Sequence, residues 1–87
     1  MNSRILVPEN VIAKVGRDVM KKLAERLVQH GPGSFIGAHE VLGILTEEWK
    51  ELIDAVQAND CTQVEKELID IAVACIFGVA SSRLWPD

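Results

Sequence analysis

The chain has 87 residues, a formal charge of −4, no Tyr, two Phe and two Trp. A chain this short buries a limited share of its surface alone, and with few aromatic anchors its core must come from Leu, Ile, Val and Ala, a composition suited to packed helices. The acidic balance argues against a nucleic-acid polymer held by bulk electrostatics, and the apolar run Ile71 to Ala80 is too short to span a bilayer.

The first seven residues, MNSRILV, read as a frayed arm or packing tail. They are too short for a signal peptide before Pro8, so a soluble chain in a reducing, cytoplasmic setting is the default expectation. Pro8-Glu9-Asn10 reads as a helix start with Asn10 as cap. Behind it Val11, Ile12, Val15, Val19, Leu23 and Leu27 recur at helical spacing, and the helix is expected to end near His30. Lys14, Arg17 and Lys21 lie on its polar face, with Lys22 and Arg26 at the apolar edge, where their stems can cover core. Residues 1–30 carry six Lys/Arg against three Asp/Glu; residues 31–87 carry three against ten. A positive first helix beside an acidic remainder either assists an anionic ligand held through a metal or is a solvated face paired with neighbouring acids.

HGPGSFIG, from His30 to Gly37, is the one clear break, a glycine-rich connector without a phosphate-loop pattern, although Ser34 and Phe35 can line a pocket if it folds over the acids. A second helix is predicted from Ala38 or His39 to about Ala58. A third runs from about Thr62 to Leu84 and is stopped by Pro86. Asn59-Asp60-Cys61-Thr62 has the composition of a turn and a helix start, so the two helices are expected to fold back as an antiparallel hairpin. Cys61 and Cys75 have neither metal-ligand spacing nor a disulfide framework, and Cys75, inside the apolar run, is expected to be buried.

Two acidic pairs dominate this hairpin, Glu48 with Glu51 and Glu67 with Asp70, each three residues apart and therefore on one helix face. Stepping about 100° per residue, Val41, Leu42, Leu45, Trp49, Leu52, Ile53 and Val56 form one apolar arc, and Glu48 falls about 20° outside it. A carboxylate bordering the core is costly unless protonated, hydrogen-bonded or bound to metal. Asp70 falls among Val73, Ala74 and Phe77, where a surface acid has no reason to be. Four converging carboxylates, poor in Cys and His, call for a hard cation such as Mg²⁺, with Mn²⁺ as substitute. Glu40 either supports the metal from farther out or favours the positive end of its own helix; His39 reads as structural or exposed.

The third helix, apolar on every face for ten residues, cannot be the outer helix of a lone three-helix chain. Its small residues Ala72, Ala74, Gly78 and Ala80 allow close approach of a second helix, which points to a dimer with a four-helix-bundle core. The expected fold class is all-α, with helical hairpins assembled by oligomerisation.

EEWKEL at 47–52 and ELID at 67–70 together resemble the E-E-x-x-E and E-x-x-D signature of the MazG-like all-α nucleoside triphosphate pyrophosphohydrolases, over roughly Ala38 to Ala80. The resemblance implies a single domain over 1–87 with its motif-bearing core at 38–80, acting as a homodimer or tetramer. It implies Mg²⁺-dependent hydrolysis of nucleoside triphosphates to monophosphate and pyrophosphate, a nucleotide-pool house-cleaning activity. Glu48, Glu51, Glu67 and Asp70 match the metal ligands, and Glu47 matches the leading glutamate of the catalytic set. The sequence runs to Asp87 without the downstream Lys and Arg that some members place on the phosphates, and helix 1, Arg83 or a partner chain are the alternative expected sources of positive charge. Trp49, Phe35 and Trp85 are the available stacking residues. The alternative is a non-catalytic oligomerisation module whose acids form interhelical salt bridges.

Overall fold

Helical periodicity becomes three helices in the computed structural model, which describes residues 3–86: α1 (Glu9–His30), α2 (Ala38–Gln57) and α3 (Cys61–Ser82), with no strand among those residues. The fold class is all-α, as the composition and spacing predict. Of the amino-terminal arm, the first two residues lie outside the described stretch. Residues 3–7 are exposed, Ile5 at 93% and Leu6 at 89%.

Pro8, not Asn10, occupies the cap position of α1. Its fixed φ of −66° suits the entry, and its carbonyl accepts the Val11 and Ile12 amides at 3.1 and 3.2 Å. Asn10 is already helical, because the ring of Pro8 starts the helix without a side-chain cap. Gly31 stops α1 with φ at 80°, a left-handed conformation that glycine adopts without steric cost, and returns its amide to Leu27 O. Glu40 reaches back from the first turn of α2 to accept the Ile36 amide at 3.3 Å, so it serves the helix start rather than the acidic group. Asn59, at φ 56°, turns the chain into Asp60, whose Oδ1 caps α3 by accepting the Gln63 amide at 3.0 Å.

α3 is the central element, with α1 and α2 each packed on it. Val19 and Leu23 of α1 meet Val73, flanked by Leu27, Ile69, Ala72 and Phe77. Burying such an aliphatic side chain contributes about 1.5–3 kcal/mol. Only the carboxyl-terminal half of α1 takes part, since Val11, Ile12 and Val15 are exposed. On the other side Leu52 and Ala55 of α2 are buried, and Val41 lies over Gly78, where an added Cβ would sit 3.4 Å from its Cγ1.

These contacts correct two expectations about α3. Ala72, Ala74 and Gly78 are covered within the chain, not held free for a partner, because two helices share its circumference. Cys75, expected to be buried, is exposed on the remaining face with Ile76, Val79 and Ala80. The apolar arc of α2 is likewise split: Leu52 is buried and Val41 and Leu45 are half-buried, while Leu42, Trp49, Ile53 and Val56 remain exposed.

Candidate active site

The hairpin puts the second and third turns of α3 against the middle of α2, and with them the acids. One carboxylate oxygen from each of Glu48, Glu67 and Asp70 lies within 4.8 Å of the others. Glu67 is 6% exposed, and Glu48 and Asp70 are half-buried. Gln63, one turn before Glu67, donates its Nε2–H to Glu67 Oε1 at 2.6 Å. The second oxygen of Glu67, and Oε2 of Glu48, are buried without any hydrogen-bond donor. An orphaned buried carboxylate oxygen costs free energy that ordinary folding avoids.

The remaining two acids of the motif sit outside this group. Glu51 is exposed at its rim, and Glu47 is exposed farther out. Burial holds the Glu48 carboxyl above the ordinary range, reinforced by the charges of Glu51, Asp70 and Glu67 and opposed by Arg26. Glu51 is also raised, first by the hydrogen bond that only its protonated form can donate to Glu67 and then by the Glu67 charge, with burial, Asp70 and Glu47 adding less. Like charges held together in this way resist simultaneous ionisation.

A cleft of about 310 Å³ opens beside the acids. Its floor is Asp70, Val73, Ala74 and Phe77 of α3; one wall is Leu23, Arg26, Leu27 and His30 of α1, and the other is Ile44 and Glu48 of α2. Gly31, Gly33 and Phe35 of the connector close one end. Phe35 meets Phe77 edge to face, ring centroids 5.0 Å apart, and both of its backbone polar groups are held: its N–H donates to Ser81 Oγ at 3.0 Å, and its carbonyl accepts from Trp85 Nε1. Of the three aromatic candidates, Phe35 therefore lines the cleft, Trp85 holds the connector, and Trp49 is 60% exposed outside it. Ser34 is exposed and is not in the lining.

Sequence reasoning missed Gln63, Ser81 and the place of His30. Ser81 was legible as the next step, by three or four residues, after Phe77 and Gly78 on the buried side of α3; Gln63 lies four residues before Glu67, within reach on the same face.

The donor set is all oxygen, and two of its carboxylates, Glu48 and Glu67, each bury an oxygen without a hydrogen-bond donor, which fits a hard divalent cation. Ligand oxygens around Mg²⁺ lie about 3 to 4.2 Å apart for bonds of roughly 2.1 Å, so a spread reaching 4.8 Å closes with small side-chain rotations. A salt-bridge cluster fits poorly. Among the described residues the acids of the hairpin have one interhelical ion pair, Arg26 Nη2 to Glu48 Oε1 at 4.0 Å, and none at Glu67 or Asp70.

Fold and site together define an all-α protein with a carboxylate group able to hold a divalent cation beside a largely apolar cleft. Residues 37–84 match the family model described as the MazG nucleotide pyrophosphohydrolase domain, and the chain belongs to that family. Neither among curated proteins nor among solved structures does the chain find a match.

Proposed function

We propose that the chain is a divalent-cation-dependent pyrophosphohydrolase that cleaves a nucleoside triphosphate between its α- and β-phosphates, giving the monophosphate and pyrophosphate. The observation that carries this reading is the convergence of the Glu48, Glu67 and Asp70 carboxylates beside a cleft, two of which, Glu48 and Glu67, each bury an oxygen without a donor. Glu48, Glu67 and Asp70 would hold Mg²⁺, or Mn²⁺ in its place, with Glu51 completing the set from the rim. Glu47 contributes negative charge from outside it. When bound, the cation supplies positive charge to the phosphates and lowers the pKa of the attacking water. Gln63 fixes the Glu67 carboxylate by holding one oxygen, which leaves the other free to ligate. Phe35 and Phe77, packed edge to face, give the cleft an apolar end against which a base can stack.

The chain works as a homodimer or tetramer in this reading, with exposed Leu42, Trp49, Ile53 and Val56 of α2 and Leu68, Ile76 and Val79 of α3 as the apolar surface available for a bundle core. The described residues contain no helix long and apolar enough to cross a membrane. Pyrophosphate release from a panel of ribo- and deoxyribonucleoside triphosphates with Mg²⁺ tests the activity. Release from at least one of them, abolished by a chelator, is expected; a folded protein that releases none contradicts the proposal.

A further inference from the structure

The cleft contains a cation whose present partner is an acid needed elsewhere. Arg26 lines the α1 wall of the cleft that Asp70 also lines, and its Nη2 lies 4.0 Å from Glu48 Oε1, an ion pair without a hydrogen bond. Its side chain is 38% exposed, so the guanidinium is neither locked nor deeply buried. Arg83 borders a separate groove on the outer face of α3, with Cys75 and Val79, and Lys50 and Lys66 are exposed. Among the described residues, Arg26 and His30 are the basic side chains that reach the cleft.

We infer that Arg26 is the substrate-phosphate ligand of this site and that it exchanges partners, leaving Glu48 for a phosphate oxygen when Glu48 engages the cation. The inference rests on the pyrophosphohydrolase reading and deepens it. A carboxylate cannot serve a divalent cation and a guanidinium equally well, because each positive charge lowers the field the other feels at Glu48. A planar fork of donors, released beside an apolar cleft, matches the paired oxygens of a phosphate. Arg26 therefore keeps Glu48 partly neutralised while the site is empty and grips the anion when it is filled.

Arg26→Gln separates this role from simple pairing. Removing the competing cation should tighten Mn²⁺ binding to the nucleotide-free protein, measured by calorimetry, by about threefold. The same change should raise KM for the nucleotide by about tenfold or more, as expected for a lost hydrogen bond to a charged group. Arg26→Lys, which keeps the charge but not the fork, should recover part of the KM loss and bind Mn²⁺ as the parent does. Tighter Mn²⁺ binding with KM unchanged in Arg26→Gln would overturn the inference, and so would weaker Mn²⁺ binding by a variant with the parent's circular dichroism. Failure of the reading beneath it looks different: the parent itself would release no pyrophosphate, and the inference would fall with it.

Discussion

Glu67 carries the sharpest residue-level consequence. A buried acid paired with a cation stabilises the fold, and removing its charge strands the partner. Glu67 has no cationic partner among the described residues, one oxygen without a donor, and three acids around it. The sign therefore reverses, and Glu67→Gln should stabilise the metal-free protein. A gain of about 1 kcal/mol corresponds to a rise in Tm of about 4–8 °C for a domain of this size. A fall of similar size in a thermal melt would show that the charge is compensated. The raised carboxyls of Glu48 and Glu51 give a second expectation. An acid whose folded pKa exceeds its unfolded value binds more protons when folded, so its contribution to stability falls as pH climbs from the ordinary Glu range through the raised value. Without metal, the protein should be more stable at mildly acidic than at neutral pH, and saturating Mg²⁺ should remove much of that slope. Urea titrations across this range check both statements.

At the scale of elements, the hairpin was legible because its acids and apolar residues follow one helical period, and Asp70 falls where only buried residues belong. The cleft was not legible in the same way, because it depends on where a glycine-rich connector docks, and helical periodicity says nothing of that. Composition marks residues 31–37 as irregular; the hydrogen bonds of Ser81 and Trp85 to Phe35 decide that they are held in place. Ser81, 2% exposed, spends its hydroxyl on this contact. Ser81→Ala should speed hydrogen exchange at the Phe35 amide by about fivefold or more, the equivalent of one lost hydrogen bond, while amides in the middle of α3 keep their rates. Unchanged exchange at Phe35 would mean that the Trp85 hydrogen bond and the Phe35–Phe77 contact hold the connector without Ser81. The apolar character of α3 was legible too, but its cause was only half so. Two helices of the same chain cover most of it, and the predicted need for a partner shrinks to the strip around Cys75, Ile76 and Val79.

At the scale of the molecule, that strip and the exposed apolar side chains of α2 predict self-association, and sedimentation at micromolar concentration should find a dimer or tetramer. A stable folded monomer would contradict it. The central claim, however, is that the acids of α2 and α3 form a cation site, and Asp70→Asn tests it with little change of shape. Thermal melts of parent and variant, each with and without Mg²⁺, are the most direct measurement. The account predicts that the metal-free variant melts at or above the parent, because one repelling charge is gone, and that Mg²⁺ raises the Tm of the parent alone. An equal rise in both proteins, or a metal-free variant that melts well below the parent, would contradict it.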